Sequence, residues 1–526
     1  MEGKCLMQGA VPRFRLAGRD VEPWGLAIAA LFVAGLLIRA ALYLPLAAFP
    51  GDSDGVQPGL CAFHVGDGHF PLFTPEGTRH GSVTCYLTAA FMALVGPTRL
   101  GLALNGFTLE ALFLLCMLLF LREVLSPARA CLAFLFVAAP PVQFLTVTYI
   151  PFYYGEVMVA CAAALFFAAR WRKRATFWTV FLFGLISGIA LWLSFISAMV
   201  IAPAGLWIAW RRSAAVVREA WPALCGSVIG FSPWLVYNAM HGFASLTSNF
   251  ATKPISRIGQ AASNFIYQLS YNLPMLLTDG SSHDWGTVST IFLCAYLVIG
   301  VGVLLALRAG GTSEPAKSES AASLLGLGVM VLALTILLNV ISEPGSIRGW
   351  TVRYVAPFYL VVPPFMAIGL AKLWQTRPWL AVVPLLSILG LNLMLYSLPG
   401  TATREALTAE LEQHKRLQTV LAEANVQALL GNYWLVYHLN FDSRRHILGV
   451  PLPPDTDYYN YAGSLPVRGL RWALIARDAN ELERRTSKIG ARGRIVAVDG
   501  LQLFLPDPAS DTAETSKLIE ALSQPL

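Results

Sequence analysis

Charged residues are scarce in this sequence. Asp, Glu, Lys and Arg make up 13% of its 526 residues, whereas 56% are hydrophobic, and soluble domains usually carry about 25% charged residues. This shortage excludes a chain that is mainly a water-soluble globule. The net charge of +7 does not predict nucleic-acid binding, because the basic residues gather in short segments beside long apolar runs.

Motifs of nucleotide and metal chemistry are also missing. The sequence has no P-loop, no Gly-rich dinucleotide signature and no CxxC pair, so no pattern predicts nucleotide binding or a cysteine metal site. We expect no required cofactor. A divalent metal ion is compatible with the carboxylates and histidines described below, but no ligand spacing indicates one.

Apolar runs are abundant, and many are about 20 residues long, which is enough to cross a bilayer. They recur between Trp24 and Pro399 and predict about 11 membrane spans, with a shorter apolar helix over 81–95. The first run, Trp24 to Ala47, is too long for the apolar core of a signal peptide. We therefore expect a retained first span in a multi-pass protein of the plasma (inner) membrane.

The distribution of basic residues predicts the orientation of these spans. Basic loops lie on the side of the N-terminal tail, after residues 121, 169, 210, 307 and 373. Longer loops lie on the other side, at 48–81, 241–285 and 342–353. The positive-inside rule then places the N-terminus in the cytoplasm and the longer loops and the C-terminus outside.

Three regions follow from composition. Residues 1–23 form a cytoplasmic tail, residues 24–399 a transmembrane module, and residues 400–526 a small α/β domain on the extracytoplasmic face. The last region has helical spacing over 401–430 and 480–489. Its strand-like runs lie at 472–476, 494–498 and 501–505, and an Asp-Gly pair joins the last two, which is a hairpin signal.

The first long loop, Phe49 to Tyr86, holds the densest ionisable chemistry. Asp52 and Asp54 follow the first span, where a carboxylate suits a general base that removes a proton from an acceptor hydroxyl; an Asp/Ser/Gly turn is the alternative. His64 would orient an acceptor or contact a phosphate. The other ionisable residues of the loop are expected to be mostly solvated: Asp67, His69, Glu76, Arg79 and His80.

Charges at the outer boundary of the membrane are costly and are therefore candidates for function. Glu156 follows a Tyr-rich boundary and is either a site residue or a solvated acid in an aromatic belt. Arg353, with Tyr354, opens a late span and is either a surface anchor or a bidentate ligand of a lipid phosphate. His283 beside Asp284 is either catalytic or an incidental solvated pair.

Two further charges and two cysteines have open interpretations. Arg39 either snorkels to the headgroups or faces a phosphate, whereas Glu110 is expected to pair within the bundle with a partner that the sequence does not identify. Cys61 and Cys85 lie in or beside the first loop, where export would permit a disulfide.

The order of several short motifs resembles bacterial glycosyltransferases of the GT-C superfamily, and within it the protein-mannosyltransferase-like group that uses polyprenyl-phosphate sugars. After the early Asp, the first loop carries Gly59-Leu60-x-Ala62-x-His64 and then Gly81-Ser82 ahead of Tyr86-Leu87. Further matches are Tyr153, Tyr154 and Glu156; Arg353, Tyr354 and Pro357; and Tyr433, Trp434, Tyr437, Phe441 and Ser443.

The resemblance implies an inverting transferase of hexosyl or pentosyl groups. The donor would be a sugar on undecaprenyl or a related polyprenyl phosphate, and the acceptor a lipid, glycan or protein. Counting back from Gly59 favours Asp54 as the base. Asp52 remains the alternative, because the family often has adjacent Asp-Glu where this chain has Asp-Ser-Asp-Gly.

Other residues are expected to bind the substrate. Arg353 is the first candidate to stabilise the departing phosphate, followed by Arg79 and His80. The full set of predicted substrate-binding residues is His64, Glu156, Tyr153, Arg353, Tyr354, Arg79, His80 and His283. The alternatives from other classes are a membrane transporter or lipid-linked sugar flippase, a ligase or polymerase that uses a diphosphate-linked glycan, and a catalytically inactive scaffold.

Overall fold

The structure is a computed structural model of a helical bundle with a small α/β domain at the C-terminal end of the chain. It describes residues 14–16, 19–21, 23–48, 53–74, 80–149, 154–212, 214–243, 258–278, 287–308, 320–341, 352–397, 402–452, 470–489 and 492–507.

Helices dominate the described chain up to residue 397. They are α1 (Pro23–Tyr43), α2 (Gln57–Gly66), α3 (Val83–Val95), α4 (Arg99–Val124), α5 (Pro127–Ala138), α6 (Val142–Tyr149), α7 (Tyr154–Lys173), α8 (Phe177–Leu193), α9 (Ala198–Arg212), α10 (Ala214–Glu219), α11 (Trp221–Met240), α12 (Ile258–Tyr267), α13 (Leu273–Leu277), α14 (Thr287–Arg308), α15 (Ala321–Ile341), α16 (Val352–Val355), α17 (Val362–Thr376) and α18 (Pro378–Ser397). A short antiparallel pair, β1 (Phe14–Leu16) and β2 (Arg19–Val21), precedes them.

Eight of the described helical segments are long and apolar enough to cross a membrane, and the bent pair α5–α6 would make nine. The two remaining predicted spans coincide with α8 and α9, which are only 17 and 15 residues long. The multi-pass helical architecture is therefore as predicted. The predicted short helix before the second span is present as α3.

The bend between α5 and α6 is stabilised by side chains from other helices. Pro140 and Pro141 interrupt the helix, which turns by 71°, and proline breaks leave carbonyl groups without intrahelical partners. Side chains donate to five consecutive carbonyls, those of residues 136–140: Tyr359 to Phe136, Arg39 to Val137 and Ala138, Asn392 to Ala139, and Tyr396 to Pro140. The break is thereby fully hydrogen-bonded at membrane depth, as a bilayer requires.

Arg39 has neither of its two predicted roles. It is fully buried, and its Nε lies 2.7 Å from Oε2 of Glu110 on α4. Arg39 therefore neither snorkels to the surface nor faces a phosphate, because its guanidinium neutralises Glu110 and caps the broken end of α5. The prediction that Glu110 pairs within the bundle is correct, and Arg39 is its partner.

The C-terminal domain, residues 402–507 as far as the structure describes them, is a five-stranded sheet with three helices. Its elements are α19 (Ala402–Glu423), β3 (Ala428–Gly431), α20 (Tyr433–Asp442), β4 (Leu448–Pro451), β5 (Trp472–Ala476), α21 (Ala479–Ile489), β6 (Gly493–Val498) and β7 (Leu501–Pro506). The strand order is β4-β3-β5-β7-β6. Strands β4, β3 and β5 are parallel, whereas β7 is antiparallel to β5 and β6.

The predicted strands and the hairpin of this domain are confirmed. Asp499 and Gly500 have φ values of 45° and 83°, the left-handed values that a two-residue hairpin turn of this type needs. The predicted helical stretch 401–430 was too long. The helix ends at Glu423, Asn425 turns the chain with φ 52°, and Ala428–Gly431 is a buried strand.

The C-terminal domain packs on α2 and on the beginning of α4. Its helix α20 contributes Tyr433, Tyr437 and Phe441 to a buried cluster with Val56 and Leu60. Two ion pairs flank this cluster: Arg99 binds Asp442 through two hydrogen bonds of 2.8 and 2.6 Å, and Arg445 binds Asp67 at 2.6 and 3.1 Å. A Cys61–Cys85 disulfide ties α2 to α3, so the pairing that the sequence left open is present.

Candidate functional site

Asp54 lies where the transmembrane module meets the C-terminal domain. Its side chain is 6% exposed, and its Oδ1 accepts a hydrogen bond of 2.9 Å from the hydroxyl of Tyr433. That hydroxyl accepts a bond of 3.0 Å from Nε2 of Gln57, and the hydroxyl of Ser53 donates to the backbone carbonyl of Tyr433 at 2.8 Å. Three hydrogen bonds between segment 53–57 and Tyr433 thus fix the position of the Asp54 carboxylate.

Tyr433 owes its position to the topology of the C-terminal sheet. It is the first residue of α20, which begins directly after β3, and the side chain of Asn432 caps the helix by accepting from the Trp434 amide at 3.0 Å. This point is the carboxyl end of a strand in the parallel part of the sheet, where α/β domains usually place binding sites. A carboxylate close to the N-terminus of a helix is also favoured by the helix dipole.

Arg353 brings a positive charge to the same region. It lies on α16, within electrostatic range of Asp54 and Tyr154. Its guanidinium lies 5.3 Å from the ring centre of Tyr354 and 6.0 Å from that of Tyr154. These cation–π contacts, together with a side-chain hydrogen bond with Tyr354, orient the guanidinium. Of the predicted residues, Asp54, Arg353 and Tyr354 are therefore brought together.

Glu156 lies in the first turn of α7, two residues after Tyr154. It is 3% exposed, and neither carboxylate oxygen has a well-formed hydrogen bond among the described residues, although the backbone of Thr84 lies nearby. The alternative of a solvated acid in a tyrosine belt is wrong. A buried carboxylate without a strong partner is costly, which keeps Glu156 a candidate for ligand contact.

His64 does not join the Asp54 cluster. It lies near the C-terminal end of α2, about 10 Å along the helix from the residue at its start. There its ring lies 6.2 Å from that of His69, and Asp67 and Arg445 interact with it electrostatically. Burial and the positive charge of Arg445 lower the pKa of His64, so its imidazole is held neutral.

The backbone of His80 contributes to a loop closure. Its carbonyl accepts a bond of 3.0 Å from the Thr74 amide, and the next residue, Gly81, donates to the Leu193 carbonyl at the end of α8 at 3.1 Å. Four predicted site residues lie outside the described residues: Asp52, Arg79, Tyr153 and His283. Their roles remain predictions.

One group of potential metal ligands is present in the part of the chain that the structure describes. It consists of His414 on α19 and of His438 and Asp442 on α20. Burial would raise the pKa of Asp442, but the hydrogen bond from His414 and the charge of Arg99 lower it to about 2. Burial, reinforced by His414, lowers the pKa of His438 to about 3.

Sequence reasoning missed the partners of Asp54. Tyr433 was noted only as part of a resemblance, and Gln57 and Ser53 were not singled out. Tyr433 and Asp54 are 379 residues apart, and no local pattern reports a contact of that separation. The metal-ligand group was missed for the same reason, although the four-residue spacing of His438 and Asp442 within one helix was available.

Comparisons with known proteins agree with this architecture. No family model and no curated protein matches the chain. Its structure is similar to the crystal structure of ArnT from Cupriavidus metallidurans bound to undecaprenyl phosphate, with a TM-score of 0.60 and 12% identity over 93% of this chain and 99% of that one. It also resembles the oligosaccharyltransferase AglB from Archaeoglobus fulgidus in complex with an inhibitory peptide and a dolichol-phosphate, with 12% identity over 94% of this chain and 77% of that one. The TM-score of 0.49 for AglB is too low to carry an argument. The likeness to ArnT over nearly the whole of both chains shows that this protein has the GT-C fold.

Proposed function

We propose that this protein is an inverting glycosyltransferase that moves a sugar from a polyprenyl-phosphate donor to an acceptor hydroxyl. The observation that supports this most is the buried Asp54 carboxylate, which is fixed by Tyr433 and lies within electrostatic range of Arg353. A base and a fixed cation near the end of a membrane span suit a reaction between a hydroxyl and a lipid phosphate ester. ArnT was crystallised with undecaprenyl phosphate, which makes an isoprenoid phosphate a reasonable donor.

In the proposed reaction, the acceptor oxygen attacks the anomeric carbon of the sugar from the face opposite the phosphate. The new glycosidic C–O bond forms while the C–O bond to the phosphate breaks, and the configuration inverts. The Asp54 carboxylate takes the proton of the acceptor hydroxyl. General base catalysis of this kind typically contributes about 10²- to 10⁴-fold.

The phosphate leaves as the polyprenyl monophosphate and gains negative charge as it departs. Arg353 is positioned to stabilise that charge, because the rings of Tyr154 and Tyr354 orient its guanidinium and preorganised donors act most strongly in sites that exclude water. Glu156, with Tyr153, is proposed to contact the sugar. His64, Arg79, His80 and His283 are proposed as outer contacts of the lipid phosphate or the acceptor.

The orientation of the protein is also proposed. Helix α7 begins beside the Asp54 cluster and ends in a basic cluster, where Lys173 pairs with Glu123 at 3.4 Å and Arg212 pairs with Glu219 at 3.3 Å. The positive-inside rule favours a cytoplasmic position for this basic end. The Asp54 cluster and the C-terminal domain would then face the extracytoplasmic side, where a lipid-linked donor replaces a nucleotide sugar.

Replacement of Asp54 tests this function. The wild type and Asp54→Asn are purified in detergent and supplied with a labelled sugar on undecaprenyl phosphate and with membrane extract as acceptor. We expect Asp54→Asn to lose at least about 100-fold in transfer rate, since the amide cannot take a proton. Asp67→Asn removes a carboxylate from the same loop but from the other end of α2, and we expect it to retain transfer.

Two results would contradict the proposal. If a well-folded Asp54→Asn variant transfers sugar at the wild-type rate, Asp54 is not the base. The same rate measurement on Asp52→Asn would then test the alternative base. If the wild type moves the lipid-linked sugar from one leaflet of a vesicle membrane to the other and transfers no sugar to an acceptor, the protein is a flippase instead.

A further inference from the structure

A group of three potential metal ligands lies away from the Asp54 cluster, on the other side of the docked helix α20. His438 and Asp442 are four residues apart on α20 and therefore project from one face of the helix, and His414 approaches them from α19. Nδ1 of His414 lies 3.2 Å from Nε2 of His438, and Nε2 of His414 lies 3.2 Å from Oδ2 of Asp442. One ligand atom from each residue can be chosen so that all three lie within 4.8 Å of one another.

These distances suit a common metal ion. A tetrahedral zinc site with bonds of about 2.0–2.2 Å holds its ligand atoms about 3.4 Å apart, so the two histidines are already at the required separation. The widest pair of ligand atoms lies within 4.8 Å and would need to approach by up to about 1.4 Å. Two imidazoles and one carboxylate form a donor set that is characteristic of zinc sites with an open fourth position.

The surroundings also favour a bound cation. His414 is 9% exposed and Asp442 is 11% exposed, so the group is sheltered but open to solvent at one edge. Nδ1 of His438 is buried and has no well-formed hydrogen bond among the described residues, although the backbone of Trp434 lies close enough to act on the ring. The ring atom of His438 that faces His414 is Nε2, so a metal ion would bind there. Nδ1 would stay beside the backbone of Trp434, and a backbone partner on the other nitrogen is usual for a metal-bound histidine.

Arg99 does not block such a site. It donates one hydrogen bond to each oxygen of Asp442, but an ionised carboxylate has about four lone-pair positions. Two positions are therefore left for His414 or a metal ion. Because Arg99 begins α4 of the transmembrane module, Asp442 links that module to the metal-ligand group.

We propose that His414, His438 and Asp442 bind a divalent transition metal ion, for which zinc fits the donor set best. The ion joins α19 to α20 and stiffens the helix that carries Tyr433 and packs on α2. Although an open fourth position is typical of catalytic zinc sites, this group lies apart from the Asp54 cluster, and the role that follows from its position is structural. It stabilises the seating of the C-terminal domain on the transmembrane module and takes no part in sugar transfer.

Metal content of the full-length protein tests the proposal. The protein is purified in detergent, stripped with a chelator, loaded with zinc chloride and desalted, and zinc is then measured by mass spectrometry. We expect one zinc ion per chain in the wild type, and a loss of at least tenfold in His414→Gln and His438→Gln. His446→Gln is the matched control, since His446 is an exposed histidine just after α20, and it should retain the metal.

Two further measurements separate a specific site from loss of folding. Cobalt(II) in place of zinc should give the visible absorption of a tetrahedral site in the wild type and not in Asp442→Asn. Zinc should raise the thermal unfolding temperature of the wild type and of His446→Gln, but not that of monodisperse His438→Gln.

The proposal fails if the wild type retains no zinc after desalting, a result that does not depend on any variant. It also fails if His414→Gln and His438→Gln retain as much zinc as the wild type. Either outcome would identify the group as a hydrogen-bonded network between Arg99, Asp442 and the two histidines. Neither outcome affects the assignment of Asp54.

Discussion

The hydroxyl of Tyr433 donates a 2.9 Å hydrogen bond to Oδ1 of Asp54, although the two residues are 379 positions apart. Asp54 belongs to the transmembrane module and Tyr433 to the C-terminal domain. The proposed general base is therefore positioned by a domain that has no catalytic motif of its own. This arrangement explains why the C-terminal domain packs so closely on α2, and it leads to the first prediction.

Tyr433→Phe should slow transfer while leaving the fold intact. The substitution deprives the buried Asp54 oxygen and the Gln57 amide of their shared partner, and such a loss costs about 1–3 kcal/mol. We expect a fall of about tenfold in kcat with little change in KM for the donor. Tyr437→Phe removes the same hydroxyl one turn later on α20 and keeps the Tyr433–Asp54 bond, so it should transfer at close to the wild-type rate. Equal rates for the two variants would contradict a positioning role for Tyr433.

Sugar transfer should depend on the planar shape of the Arg353 guanidinium as well as on its charge. Arg353→Lys keeps the charge but loses the planar guanidinium that contacts the rings of Tyr154 and Tyr354, and Arg353→Gln loses both. We expect graded losses in kcat, reaching about 10²- to 10³-fold for Arg353→Gln, the usual cost of removing one donor that stabilises a developing anion. Arg377→Gln removes an exposed arginine between α17 and α18 and should have no effect. If Arg353→Gln retained full activity, Arg353 would not stabilise the departing phosphate.

Replacement of Gly59 should destabilise the contact between α2 and α20. A Cβ at this position would lie 2.3 Å from Cε2 of Phe441, so Gly59→Ala requires the Phe441 ring to shift. Overpacking of this kind costs about 1–3 kcal/mol, and we expect a lower thermal unfolding temperature together with slower transfer. Gly66→Ala, on the same helix with no atom within 4 Å of the new Cβ, is the control. The Gly59→Ala, Phe441→Leu double variant should recover part of the loss; no recovery would mean that another contact is responsible.

Removal of Arg39 should be among the most destabilising single changes. Arg39→Met leaves Glu110 as a buried unpaired carboxylate and exposes the carbonyls of Val137 and Ala138 to an apolar environment, and breaking a buried pair costs about 3–5 kcal/mol. Glu110→Gln should cost less, because its amide oxygen still accepts from Nε of Arg39. Thermal unfolding in detergent measures both. Equal losses for the two variants would show that the capping of α5 contributes little.

The parts of the fold that rest on local signals could be predicted from the sequence. The apolar runs gave the helical membrane architecture, and Asp499-Gly500 gave the hairpin, because length, periodicity and turn chemistry are encoded by neighbouring residues. The end of α19 was misplaced because the prediction overlooked Asn425, which turns the chain in a left-handed conformation that asparagine often adopts after a helix. Arg39 was misinterpreted for a different reason: the partner that determines its role lies 71 residues away on another helix.

In the candidate site, too, local sequence identified some residues, whereas others depend on partners far away in the chain. Asp54 and Arg353 were singled out as candidates because a charge at the end of an apolar run is unusual by itself, and the family resemblance favoured Asp54 over Asp52. Tyr433 and the His414 group were not identified as partners, since their importance arises only when the C-terminal domain docks. His64 matched a motif, yet α2 places it beside Asp67 and Arg445, about 10 Å along the helix from the first residue of α2.

The capped break between α5 and α6 constrains the order in which the chain assembles during synthesis. Arg39 precedes Glu110 by 71 residues and the carbonyls of Ala138 and Val137 by 99 and 98 residues, so its hydrogen bonds form only after α4 and α5 have been synthesised. Asn392 and Tyr396 donate hydrogen bonds to the carbonyls of Ala139 and Pro140, which lie 253 and 256 residues earlier in the chain. The centre of the bundle therefore remains incomplete until α18 has been inserted, and a chain that stops before residue 392 lacks the side chains that donate to the carbonyls of Ala139 and Pro140.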